Sequence, residues 1–190
     1  MCAHGRKKTG TFAWGTDLPP IVTSETYLTT KLYGEFTPMT ADDLVDFMRR
    51  HEELLIVADT MDDDVEVYKR LAECYPDVMD RFIVQIYHER EYDPIRALGF
   101  TSVIYTLYNA DEQELEIANL MRFVNGHELV GLTFLPERLE GKRFRIGVEK
   151  LGVPLMVHTI DDYEEMETYL AKRNFTAVDT DCTTFPDGAA

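Results

Sequence analysis

Six short apolar runs recur along the last two thirds of the chain, each closing on a polar or aromatic residue: Leu54 to Asp59, Phe82 to Tyr87, Ser102 to Tyr108, Leu129 to Phe134, Pro154 to Thr159 and Thr176 to Asp181. Their starts are spaced roughly 20 to 28 residues apart, the length of one strand, one crossover helix and two short loops. Ile83-Val84, Val103-Ile104 and Met156-Val157 make the runs near-continuous in apolar, largely β-branched residues. Such runs belong to strands covered on both faces, and strands alternating with helices at this spacing predict a parallel sheet.

Between the runs the period changes. Val65, Val67, Tyr68, Leu71 and Ala72, then Leu115, Ile117, Ala118, Leu120 and Met121, then Tyr163, Met166, Tyr169 and Leu170 fall at helical spacing and put one apolar stripe on each helix. Gly99 and Gly152 stand where a helix must stop before the next strand, because glycine tolerates the left-handed conformation that ends helices.

The first third reads differently. Met1 to Gly34 is rich in Thr, Lys, Gly and Pro, with Phe12-Ala13-Trp14 as its apolar knot, and a short helix is expected over Ser24 to Leu32. Thr40 followed three residues later by Asp43 has the form of a capping box that opens a helix carrying Leu44, Val45, Phe47 and Met48. The domain division expected is 1–53 as irregular loop and short helices, 54–186 as the strand-helix body and 187–190 as a tail.

Composition adds little to the class but narrows the partners. The 190 residues are 45% hydrophobic and 28% charged, an ordinary globular balance, while the formal net charge of −16 argues against nucleic acid, whose phosphates attract basic surfaces. Acidic positions such as Asp161, Asp162, Glu164, Glu165 and Glu167 sit on one helical stretch and read as a solvated face. Cys2, Cys74 and Cys182 are isolated and odd in number, so no disulfide framework or zinc ribbon is expected and a reducing, cytoplasmic setting fits. The start, Met-Cys-Ala-His-Gly-Arg-Lys-Lys, has no apolar segment after its charges to read as a signal peptide, and no apolar run is long enough to span a membrane.

Parallel strands joined by helices either stay open as a doubly wound sheet or close into an eight-stranded barrel of about 250 residues. Six units is two short of a barrel. For an open nucleotide-binding sheet the glycine-rich phosphate loop is missing after every run.

Particular words in the chain favour the barrel. Arg81 to Tyr87 (Arg-Phe-Ile-Val-Gln-Ile-Tyr), Leu98 to Tyr108, Gly152 to Asp162 (with Val157-His-Thr-Ile-Asp-Asp) and Phe175 to Asp181 (with Val178-Asp-Thr-Asp) resemble the glycerophosphodiester phosphodiesterase family, as do Lys31 to Thr40 and Leu55 to Thr60. The resemblance extends over roughly His4 to Pro186. It implies an incomplete (β/α)8 barrel carrying the third to eighth strands. The activity it implies is metal-dependent hydrolysis of glycerophosphodiesters to an alcohol and glycerol phosphate. In that chemistry one histidine takes a proton, another gives one, and a divalent cation, Mg or Ca, offsets charge on the phosphoryl oxygens.

Carried over residue by residue, the resemblance makes His4, in His4-Gly5, the candidate general acid and Asp59 the candidate metal ligand. Gln85, from its place at the end of its strand, is a candidate substrate contact or a bond to a neighbouring loop, and His158 is a candidate substrate contact standing where many relatives carry a tryptophan. The first histidine and the E-x-D metal motif of the family have no counterpart in this chain, and Met61 replaces a lysine common two residues after the third-strand carboxylate. The expectation is therefore a truncated family member with weakened metal binding and little or no activity. The alternative is a non-catalytic binding or assembly module of the same origin. The expected partner is a small glycerophosphodiester, with no membrane segment. Asp181 is expected to form the closing turn, and Asp62, Asp63 and Asp64 to favour a helix N-terminus through its dipole.

Overall fold

A computed structural model describes residues 23–31, 35–60, 64–172 and 174–181, and the chain divides into two compact units, Met1–Leu55 and Ile56–Ala190. His4, Met61, Asp62 and Asp63, together with Cys2 and Cys182, lie outside the described residues.

In the first unit, α1 (Ser24–Thr29) starts where the Thr23 hydroxyl accepts the Thr26 N–H. It ends earlier than its sequence suggests: the Thr29 and Thr30 hydroxyls bond back to the carbonyls of Glu25 and Thr26, and Thr30 turns extended. α2 (Ala41–Arg50) has the full capping box, with the Thr40 hydroxyl accepting from Asp43 N–H and the Asp43 carboxylate accepting from Thr40 N–H at 3.0 Å. Those bonds from Thr40, the side-chain one foremost, hold the Asp43 carboxyl below its usual pKa of 3.8. Asp42 and Asp43 in the first turn and Arg49 and Arg50 in the last complement the helix dipole.

The second unit holds all six strands: β1 (Ile56–Ala58), β2 (Phe82–Ile86), β3 (Ser102–Thr106), β4 (Gly131–Phe134), β5 (Leu155–Val157) and β6 (Phe175–Val178). Every pair is parallel and the spatial order is the sequence order, β1 through β6. Alternating with them are α3 (Asp64–Cys74), α4 (Tyr92–Ala97), α5 (Ile117–Gly126), α6 (Lys142–Val148) and α7 (Tyr163–Leu170). Order without reversal decides the architecture. Crossovers of one hand, always stepping the same way, lay every helix on the same face of the sheet, whereas a doubly wound fold must reverse direction once. The result is a curled half-barrel, part of the (β/α)8 plan, in which β1 and β6 do not pair.

Burial confirms which face the helices cover. Phe82, Val84 and Ile86 are buried while Ile83 and Gln85 between them are only partly so, and the register places Val84 beside Val103, Ile86 beside Tyr105 and Leu132 beside Leu155 on the same outer face. Aromatic edges tie this face to the helices: Tyr105 to Phe123 of α5, Phe134 to Phe144 of α6, and Phe175 to Tyr169 of α7, with centroids 5.2 to 6.0 Å apart. Gly99 and Gly152 have φ of 101° and 75°, the left-handed stops that their positions require.

The strands are shorter than their apolar runs, and β6 begins at Phe175, one residue before the run that marks it. Phe175 pairs with Leu155, but Met156 then pairs with Ala177, so Thr176 is an extra residue in the ladder. This β-bulge reverses the alternation of β6 and turns Asp179, not its neighbours, toward the inner face.

Candidate functional site

In a barrel of parallel strands the side chains that follow the C-terminal ends of the strands share one mouth. Stepping in twos from the register, the inner face here carries Gln85 on β2, Thr106 on β3 and Thr133 on β4, and beyond the strand ends Asp59, Tyr87, His158 and Asp179. Alternation produces this set: the neighbours Ala58, Ile86, Tyr105, Phe134, Val157 and Val178 go outward to the helices, while Val57, Ile83, Ile104 and Met156 share the inner face deeper along the strands.

Asp59, just after β1, accepts a hydrogen bond from the Tyr87 hydroxyl at 2.7 Å, joining the ends of β1 and β2. Tyr87 N–H and His88 N–H both donate to Glu91 Oε2, at 2.8 and 3.0 Å, which pins the turn that presents the tyrosine. On the other side of the mouth, His158 Nδ1 lies 2.9 Å from Thr133 Oγ1, and the Tyr108 ring lies 5.9 Å from the imidazole. Asp179 N–H donates to Val157 O at 2.9 Å, which holds the aspartate at the level of His158.

Electrostatics link these groups. Burial pushes the His158 pKa below its ordinary 6.5, and the charges of Asp179, Asp59 and Glu137 oppose that shift. Crowding by surrounding atoms raises the Asp179 carboxyl above 3.8, with His158 pulling it back, although the residue keeps contact with solvent. Desolvation prevails over three carboxylates at His158, so the imidazole is neutral at pH 7 and able to accept a proton or a hydrogen bond.

Of the residues singled out by sequence, Asp59, Gln85 and His158 stand on the inner face, and the Asp59 carboxylate acts electrostatically on His158. His4 is outside the described residues. Asp181 N–H and the Thr180 hydroxyl both donate to Asp161 Oδ1, so Asp161 is the acceptor that ties the segment after β6. Sequence reasoning passed over Tyr87, Thr133 and Asp179. Tyr87 lies two residues past Gln85 and was open to the period-two count; Asp179 was hidden by the bulge.

Thr106 adds one more feature. Its hydroxyl is buried on the inner face without a hydrogen-bond partner among the described residues, next to Thr133 across the β3–β4 pair. The divalent cation implied by the resemblance finds less support: among the described residues no group of three His, Cys, Asp or Glu side chains converges as a metal site. Asp59 alone occupies the expected place, so the described residues do not fit the complete ligand set.

No helix among the described residues is long and apolar enough to cross a membrane. No protein-family model matches the chain, and neither a curated protein nor a solved structure matches it significantly.

Proposed function

We propose that the mouth formed by the strand C-terminal ends binds a small glycerophosphodiester, on the plan of the glycerophosphodiester phosphodiesterases, and that the described residues hold its polyol end and hydrolyse the diester weakly or not at all. The observation that carries this reading is the convergence of Asp59, Tyr87, Thr133, His158 and Asp179 on one face of a sequentially ordered parallel sheet. Carboxylates, a neutral imidazole and hydroxyls are acceptors and donors suited to vicinal hydroxyl groups. Asp59 and Asp179 accept, the phenol of Tyr87 both donates and accepts, and Gln85 offers an amide farther down the face.

The weakness of hydrolysis follows from charge. A diester is an anion, and Asp59, Asp179 and Glu137 all act on His158 in the mouth, so repulsion opposes additional charge on phosphorus oxygens unless a cation offsets it. With only Asp59 at the expected ligand position, that offset is poor. The neutral His158 remains a competent proton acceptor for a water or hydroxyl in the mouth.

Titration calorimetry with glycerophosphoethanolamine, alongside an assay for released ethanolamine with and without Mg or Ca, tests the reading. Saturable binding that weakens in His158→Ala and Asp59→Asn, with little or no ethanolamine released, is the expected outcome. Absence of binding by the wild-type chain overturns the substrate class. Rapid metal-dependent release that disappears in Asp59→Asn overturns the weak-hydrolysis part and restores full family chemistry.

A further inference from the structure

Beside the residues assigned to the diester, at the same C-terminal end of the strands, the segments after β2 and β3 and the start of α5 form a cleft of about 230 Å³ lined by His88, Glu89, Arg90, Asp111, Glu114 and Arg122. Glu114 is fully engaged: its Oε1 meets His88 Nδ1 at 3.0 Å and its Oε2 accepts the Asp111 N–H at 3.0 Å. Asp111 Oδ1 accepts two backbone N–H groups, from Gln113 and Glu114, each at 2.8 Å. Asn119 is tied to the Gln113 carbonyl. Arg90 and Arg122 make no hydrogen bond or ion pair among the described residues, which leaves two guanidinium groups at one cleft with their donors unspent.

We propose that the cleft between the β2 and β3 loops is an anion site for a phosphate monoester group, held by Arg90 and Arg122 with the imidazole of His88, oriented by Glu114, as a third contact. Glu114 holds Nδ1 and so leaves Nε2 as the ring atom open to a ligand. Two guanidinium forks supply more parallel donors than one carboxylate ligand can use, and a tetrahedral phosphate offers the oxygens to match. Glu89 accepts no hydrogen bond among the described residues, and Asp111 and Glu114 keep their charge although bonded; the three carboxylates set an upper limit on affinity and make a ligand with an adjoining hydroxyl or ammonium the better fit. This site shares none of the side chains assigned above to the diester, and the Asp59→Asn variant separates the two readings.

Inorganic phosphate, glycerol 3-phosphate and acetate, titrated separately into the intact chain and followed by calorimetry at constant ionic strength, test the proposal. Glycerol 3-phosphate and phosphate are expected to bind saturably in the millimolar range or tighter and acetate more weakly. Arg90→Gln and Arg122→Gln each weaken phosphate about tenfold, the loss of one charge-assisted contact. Asp59→Asn, which alters the mouth, leaves phosphate binding unchanged. Arg90 and Arg122 are exposed, so their variants are expected to keep the wild-type circular dichroism and melting temperature. Failure of phosphate to saturate overturns the proposal, as does binding that survives the double Arg90→Gln/Arg122→Gln variant or that is lost in Asp59→Asn.

Discussion

Thr106 and Thr133 face each other across β3 and β4 on the inner face, both buried, yet only Thr133 has a side-chain partner. The same substitution should therefore act in opposite directions at the two sites. Thr106→Val removes a hydroxyl that pays a desolvation penalty for nothing in the free protein and is expected to raise stability by about 1 kcal/mol, whereas Thr133→Val deprives His158 Nδ1 of its partner and lowers stability by about 1 kcal/mol. Urea denaturation of the two variants checks the signs. His158 itself leaves a mark on pH dependence. Burial lowers its folded pKa below 6.5, so between that lowered value and 6.5 the unfolded chain binds more protons, and stability rises with pH. The contribution is complete above 6.5 and is lost as pH falls through the folded pKa. Asp179, whose carboxyl is raised above 3.8, works with the opposite sign, losing stability as pH climbs from 3.8. His158→Gln should flatten the loss of stability below 6.5 relative to wild type; an unchanged profile would mean that the imidazole is not desolvated.

At the level of elements, the contact between α5 and α6 depends on an absent side chain. A Cβ at Gly147 would lie 2.4 Å from Ile117 Cδ1 and Cγ1, so the glycine is there for close approach. Gly147→Ala would gain about 1 kcal/mol in helix propensity, but overpacking of about 1 to 3 kcal/mol opposes it, and a net destabilisation is expected. Adding Ile117→Ala should relieve the clash, so that the double variant is more stable than the sum of the single effects by at least about 0.5 kcal/mol. What the sequence revealed at this scale depended on period. β2 and β3 could be read from their apolar runs, and α5 and α7 from their stripes, because long regular patterns have few competing explanations. α4 and α6 are brief, α4 carrying Pro94 in its first turn and α6 opening with Lys142 and Arg143, and they show no stripe to count. The β6 bulge was invisible for a different reason: one inserted residue is a property of pairing with β5, and a single strand cannot display its register.

For the whole molecule, the strand order was implicit in a regular beat of strand and helix, since short right-handed crossovers leave neighbouring strands adjacent. The candidate site was legible where it follows that beat. Asp59 and His158 could be located at strand ends from the sequence, but the effect of Asp59 on His158 arises from the curl of the sheet, and Tyr87, Thr133 and Asp179 join them only through the register. The acidic character of the mouth likewise emerges from assembly, because Asp59, Glu137 and Asp179 are far apart along the chain. That character leads to an expectation about salt: repulsion between a diester anion and the mouth is screened as ionic strength rises, so glycerophosphodiester binding should strengthen with added NaCl while phosphate binding at Arg90 and Arg122 weakens. The measurement that tests the central claim most directly is an NMR titration of the isotope-labelled chain with glycerophosphoethanolamine. Saturating shifts concentrated at Asp59, Tyr87, Thr133, His158 and Asp179 are expected. Shifts absent there, or gathered at the opposite ends of the strands, would contradict it.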